Sequence, residues 1–394
     1  MMLGMFAGCA SDAPASSRFS VADSAGIEIV TSSVPQWEAD GGWRIADAPS
    51  LRIGVVEGDE RLQFQRVRDV AFADDGSIVM TNGGSSDIRV FDATGAPLAV
   101  MGRQGGGPGE FHLLTQLFLA GDTIIAHDVV AQRLTLFDRA GNLLATVPVS
   151  ANAERPLNAV GRFADGTYLM KGEIRAPFDG ELGLKRQRET LHHVAADGTL
   201  IADVGEFPGL ELTTTRTPTG QVITGGGMYA RRLAHAVHDS VIFIGTQDDA
   251  TVSLLARDGT QRRIIRFPAA DLSIGPADQQ FIRAALEESA ASAPDPGAFV
   301  DQMLEMWPAP ERKPAYSDLH VDPDGNLWVG APANTILSEF PSSWSVYDRD
   351  GRLLGSVAAP AGLRVLEVGR DAIAGVWRDE DDVEYIHVYP IIKN

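Results

Sequence analysis

The chain has 394 residues, 44% of them hydrophobic and 22% charged, enough apolar material for one large core or several ordinary domains. Its 53 acidic residues outnumber 33 basic ones, for a formal net charge of −20. That balance excludes a nucleic-acid partner and charge-driven docking onto anionic lipid, both of which need clustered Lys and Arg.

Near the N-terminus lies the only cysteine, Cys9, so no internal disulfide can form. It follows Phe6-Ala7-Gly8 and precedes Ala10-Ser11-Asp12-Ala13: a short apolar stretch, small residues before a Cys, then a small and polar tether. This resembles a bacterial lipoprotein signal, with residues 1–17 as signal remnant and tether. The resemblance implies lipidation of Cys9 and a protein outside the cytoplasm, anchored to the bacterial envelope at the periplasm or cell surface. The segment departs from a full secretory signal in having no Lys or Arg before its apolar run, which a start placed too late would explain. No stretch approaches the ~20 apolar residues that span a bilayer, so the membrane is met by the lipid alone.

Residues 18–394 carry a repeat. Val90-Phe91-Asp92-Ala93-Thr94-Gly95 recurs as Leu136-Phe137-Asp138-Arg139-Ala140-Gly141, His193-Val194-Ala195-Ala196-Asp197-Gly198, Leu254-Leu255-Ala256-Arg257-Asp258-Gly259 and Val346-Tyr347-Asp348-Arg349-Asp350-Gly351. Each copy is followed by a second apolar run, so each is a hairpin whose Gly supplies the positive φ of the turn. An earlier hairpin precedes each one. It is clearest at 70–80 and 319–329, where Asp-Gly separates two apolar strands, and looser at 119–125, 163–170 and 237–243. Two hairpins make four strands, the unit of a propeller blade. The turn glycines stand 46, 57, 61 and 92 residues apart, so against blades of roughly 40–50 residues the last gap holds an insertion.

A sixth blade accounts for both ends. Three C-terminal runs, 364–368, 372–377 and 385–389, lack a fourth, which 51–54 supplies from the N-terminus. Residues 26–30 are expected to add a further edge strand, and 213–227 form an irregular Thr/Gly segment before blade 4. The expectation is an all-β, six-bladed β-propeller closed by pairing its N- and C-terminal strands, and monomeric. Within 267–317, Pro276 and Asp295-Pro296 open two amphipathic stretches, a two-helix insertion at about 274–308. It serves either as packing at one rim or as a lid over the central channel.

The hairpins together with Ile88-Arg89-Val90-Phe91-Asp92 and Gly102-Arg103-Gln104-Gly105-Gly106-Gly107-Pro108-Gly109-Glu110-Phe111 resemble the NHL-type six-bladed propellers of bacterial envelope lipoproteins, over residues 40–394. The resemblance is specific for fold and says little of activity.

Inner strands of a propeller line its channel, which makes Arg68, Asp69, Thr115, Gln116, Asn158, Arg232, His235, Asp318, His320 and Glu367 candidates. Asn82, His127, Asp128, Lys171, Glu173 and Arg378 join them from second-strand ends. This polar set of both charges suits a small polar ligand or a peptide end. His127, Asp318 and His320 are the candidates for a Ca or Zn site, by the liking of those ions for carboxylate and imidazole. The propeller lactonases and peptidyl-amide lyases that resemble this group in fold use central metals. The glycines at 105–109 have no helix or Lys-Ser/Thr after them and form an inter-blade turn, not a phosphate loop. No Gly-x-Ser-x-Gly elbow is present. The acid pairs Asp248-Asp249 and 379–382 read as solvated loops. The sequence therefore points first to a binding module for a small molecule, glycan or envelope protein, and second to a metal-dependent hydrolase or lyase, lactonase-like or peptidyl-amide lyase-like. A purely structural envelope component is the third reading.

Overall fold

A computed structural model describes residues 18–38, 41–149, 156–174, 180–268, 270–334 and 339–393. Cys9 and the tether lie outside the described residues.

Six antiparallel sheets form the six blades. From the inside outward, blade 1 comprises Val67–Phe72, Ile78–Asn82, Asp87–Phe91 and Pro97–Met101. Blade 2 comprises Leu114–Ala120, Thr123–Asp128, Arg133–Asp138 and Leu143–Pro148. Blade 3 begins with Leu157–Arg162 and Tyr168–Ile174, and its two outer strands, Gly183–Val194 and Leu200–Arg216, are long. Blade 4 comprises Ala234–His238, Val241–Gly245, Thr251–Ala256 and Gln261–Arg266. Blade 5 comprises Leu319–Val321, Leu327–Gly330, Ser343–Tyr347 and Leu353–Ala358. Blade 6 comprises Arg364–Val368, Ala372–Arg378 and Glu384–Lys393. Each inner strand touches the inner strands on both sides, and the strand from 364 returns to the one from 67, so the ring is closed.

The turn chemistry is as the repeat requires. Gly95, Gly141, Gly198, Gly259 and Gly351 all lie at φ between 82° and 91°. In blade 4, whose first hairpin lacks a Gly, Asp239 takes φ 51° instead, a conformation short polar side chains tolerate. The core is a series of apolar layers between neighbouring blades, among them one of Ile53, Phe64, Val67, Met80, Phe91, Ile386 and Val388 between blades 6 and 1.

Closure follows the expected plan. Leu51–Ile53 pairs antiparallel with 386–388, and Trp43–Ile45 pairs with 391–393. The further edge strand is found elsewhere. Ile27–Ser32 lies parallel to the outer strand of blade 4, Glu28 opposite Arg263, with Phe19–Ser24 turned back outside it. Between the two sites the chain runs along blade 5, where Gln36 N and Trp37 N donate to Leu353 O and Leu354 O at 3.0 and 2.8 Å and Leu353 N donates to Ser32 Oγ. Trp37 stacks near Trp43, and Trp43 near Trp328. Residues 19–38 and 41–53 thus form a belt round the outside of blades 4, 5 and 6.

Residues 213–227, expected to be irregular, are ordered in part as strands. Thr213 to Arg216 continue the outer strand of blade 3, and Val222–Gly225 pairs back on them as a fifth strand, Thr213 opposite Gly225. The segment is a hairpin arm.

The insertion is helical as expected, with α1 at Pro276–Ser289 and α2 at Pro296–Met306. Pro opens each helix, and the Asp295 carboxylate caps α2 by accepting from Ala298 N. Their apolar sides, Ile282, Leu286 and Val300, close on one another and on Met228 and Tyr229 of the connection between blades 3 and 4. The Lys313–Asp278 ion pair at 2.5 Å ties the base down. These contacts anchor the helix pair on the connection between blades 3 and 4.

Candidate functional site

All six inner strands begin on one face, which also receives the connections between blades and the helical insertion. This face holds the mouth of the channel. Four inner strands carry a bulge near their start: at 68–69, at Thr115, at Val160 and at Leu366. A bulge adds one residue against the partner strand and so re-aims the side chains that follow it. In blade 6, Arg364 opposes Val376 and Glu367 opposes Ala374, two partner positions apart. The extra residue thus puts Arg364 at the mouth and Glu367 deeper on the same side of the strand. Blades 4 and 5 lack the bulge.

Five cations gather at the mouth. Lys171 pairs with the buried Glu189 at 3.1 Å, Arg232 with Asp318 at 2.7 Å and Arg378 with Glu384 at 2.7 Å. Glu384 also accepts from Val67 N, which ties blade 6 to blade 1. Arg364 reaches across the same joint to donate to Val67 O, and its Nε is buried without a partner. Burial lowers its pKa; the charges of Arg378 and Arg68 add to that, and those of Glu384 and Asp318 oppose it. Arg68 is exposed and enters no ion pair or side-chain hydrogen bond among the described residues. On the blade 3 side an outer ring backs the mouth: Arg186 and Arg231 share Asp248, at 2.6 and 2.7 Å, and Arg231 also bonds Glu211. Asp248 is exposed in a loop, as the sequence suggested, and joins an ion-pair network there.

Beneath the mouth lie two carboxyls. Asp69 is buried and accepts from Gln116 Nε2 at 2.8 Å, Leu117 N at 2.9 Å and Val70 N at 3.0 Å. Burial pushes its pKa up to about 7 despite those donors and the pull of Arg364. Glu367 has no donor among the described residues, and burial together with the charge of Asp69 pushes it up to about 8. His235 stands nearby with Nδ1 buried and unpartnered. Burial, then the charges of Lys171 and Arg232, push it down to about 3, so it is neutral.

Not every expected residue faces the ligand space. Asn82 is buried and accepts from Gln65 N, holding a loop. Asp128 is buried too. Burial opposes its charge, but donors from Ala131, His112, Leu113 and Val130 N outweigh it and keep the pKa low, so this residue knots the start of blade 2. His127 is fully buried between blades 2 and 3, near Thr115, Asn158 and Ala159 N, and burial drives it down to about 4. Glu173 is exposed near the end of the second strand of blade 3. His320 packs edge-on against Trp344, 5.1 Å between ring centres.

The Ca or Zn candidates do not meet. His127 sits at the blade 2–3 joint, whereas Asp318 and His320 belong to blade 5, across the ring from blade 2. Among the described residues no three His, Cys, Asp or Glu side chains come together as a metal site. The sequence missed Arg364, whose place depends on the ring joint it crosses. A cleft of about 540 Å³ on the same face, lined in part by Val55, Glu60, Gln65, Asn82, Ser85 and Arg89, lies at the blade 6–1 rim. Its Arg89 is consumed by Asp87, Glu60 O and Gln63 O, so the cleft offers a ligand fewer free groups than the mouth does.

A family model described as a 6-bladed beta-propeller matches residues 55–152. No curated protein matches the sequence. Among solved structures, a member of the duf4221 family from Bacteroides vulgatus is 12% identical with a TM-score of 0.53, covering 90% of this chain and 99% of that one. A protein from Bacteroides fragilis described as exported is 12% identical, TM-score 0.49, covering 93% and 99%. A virginiamycin B lyase from Staphylococcus aureus is 8% identical, TM-score 0.43, covering 89% and 100%. At these identities the likeness is one of fold, and the fold is a six-bladed β-propeller.

Proposed function

We propose that this propeller is a binding module whose site is the channel mouth, carried outside the cytoplasm and anchored to the bacterial envelope through Cys9. The observation that carries the reading is the set of groups left without partners in one place. The Arg68 guanidinium, Arg364 Nε and His235 Nδ1 lie at or just below the point where six strands converge. Unsatisfied buried polar atoms are costly, and a ligand that bonds to them recovers that cost. A polar small molecule or the end of a peptide or glycan fits the mixed charge. Placement in the envelope rests on the residues around Cys9 and on the resemblance of the blades to the NHL type. No helix among the described residues is long and apolar enough to cross a membrane.

The test is a melting screen of the purified chain against sugars, amino acids, carboxylates, phosphates and lactones, run beside Arg68→Gln. The expected result is at least one compound that raises Tm in the parent and not in the variant, without being consumed. Turnover of a lactone or peptide amide that depends on added Ca or Zn would replace this reading with the hydrolase or lyase one.

A further inference from the structure

Two cations at the mouth have no ion-pair partner among the described residues. Glu189, Asp318 and Glu384 answer Lys171, Arg232 and Arg378, but no carboxylate pairs with Arg68 or Arg364 among the described residues. Arg364 grips the carbonyl of Val67, the residue before Arg68, and lies close enough to Arg68 to feel its charge. Burial and the charges of Arg378 and Arg68 work against the charge of Arg364, while Glu384 and Asp318 favour it, and an oxyanion between Arg68 and Arg364 would add charge-assisted hydrogen bonds to both.

Below them the carboxyl pair decides how an anion is received. Asp69 holds three donors and so keeps its charge the more readily; Glu367 holds none among the described residues and keeps its proton to higher pH. A protonated carboxyl donates to an anion, whereas an ionised one repels it. The charged and titratable groups on strands packed against Glu367 are Arg68 and Asp69 from blade 1, Asp318 and His320 from blade 5, and Arg364 and Arg378 on its own blade. Burial holds His320 below its ordinary range, so it stays neutral where Glu367 titrates.

We propose that the mouth takes a small molecule through an oxyanion group seated between Arg68 and Arg364 and above Glu367, and that binding is coupled to proton uptake. This rests on the reading of the mouth as the ligand site and names the ligand's chemistry. No bond is made or broken: an anion enters, and Glu367 gains or keeps a proton.

Sulfate and oxalate, whose charges do not change between about pH 6.5 and about pH 9, are the probes, with maltose as the uncharged control. Each is titrated calorimetrically into the purified chain in two buffers of different ionisation enthalpy. Both anions should bind near pH 6.5, where Glu367 already holds its proton, and with proton uptake at about pH 8 to 9, their affinity falling about tenfold or more by pH 9. Glu367→Gln should bind with a flat pH profile. Arg68→Gln should weaken binding at least about fivefold at unchanged Tm, since the side chain is exposed and unpaired; it keeps the test sound if Arg364→Gln fails to fold. Absence of anion binding, or binding indifferent to Arg68→Gln and to pH, overturns the proposal. If the anions fail while an uncharged compound from the screen binds in an Arg68-dependent way, the ligand chemistry is wrong and the site stands. If nothing binds there, both fall.

Discussion

The two halves of the ring solve the same problem in opposite ways. Blades 4, 5 and 6 have their outer strands covered: Ile27–Ser32 pairs with Gln261–Arg266, residues 32–37 bond to Leu353–Ala358, and Leu51–Ile53 completes blade 6. Blades 1, 2 and 3 leave theirs more open, with Leu98, Val100, Leu143, Leu144, Leu200 and Ile201 all more than 40% exposed. The outer strands of blades 1 and 2 contain no charged residue. An open, uncharged edge is a template for further pairing. Blade 5's outer strand is just as free of charge, yet the belt protects it. The repeat alone therefore does not set how an edge is finished; one distant segment finishes three edges and leaves three.

The largest effect should come from the closing strand. Ile53 is 2% exposed and packs among blade 6 and blade 1 side chains. Ile53→Asp buries an unpaired charge there and should cost about 4 kcal/mol or more, measured as the urea midpoint. If the chain tolerates it, the ring does not depend on this joint. Next is the belt itself. Trp37→Ala should lose about 3 kcal/mol. Gly355→Ala should also destabilise, because an added Cβ runs into the Trp37 ring.

A third prediction concerns pH. Glu367 and Asp69 have folded pKa values of about 8 and about 7, above their ordinary values of 4.5 and 3.8, so the folded protein holds protons that the unfolded chain has released. Stability therefore falls as pH rises through that window. His235 and His127, pushed down to about 3 and about 4, work the other way and cease to matter above their ordinary value of 6.5. The carboxyls alone act from there upward, so stability should drop by about 2 kcal/mol between about pH 6.5 and pH 9. Glu367→Gln should remove most of that slope, and a slope left intact would show that Glu367 is ionised throughout. The smallest effect is on the open side. Leu144→Lys should shift stability by no more than about 0.5 kcal/mol while suppressing self-association at high concentration, as followed by light scattering. A large loss of stability there would erase the contrast between the halves.

Much of the fold was legible because its signals are local. Asp-Gly turns between apolar runs marked the hairpins, and Pro276 and Asp295 marked the helices. The belt was not, because pairing Glu28 with Arg263 joins residues 235 apart and leaves no pattern in either strand. The arm at 213–225 was missed for a different reason: its Thr and Gly residues pair without an alternating apolar face. At the site, strand position found Arg68, Asp69, Lys171, Asp318 and Glu367. It could not separate a side chain that faces the channel from one that turns into a blade joint, which is where His127 and Asp128 went. Nor does sequence reveal the bulge at Leu366 that puts Arg364 and Glu367 on one side.

The central claim is that ligand binds at the mouth and not along the open edges. Hydrogen exchange of the purified chain with and without the best compound from the melting screen separates the two. Protection should appear at the starts of the inner strands, around Arg68, Asn158, Arg232, Asp318 and Arg364, with the outer strands Pro97–Met101 and Leu143–Pro148 unchanged. Protection confined to those outer strands would contradict the account and place the binding surface on the unbelted half of the ring.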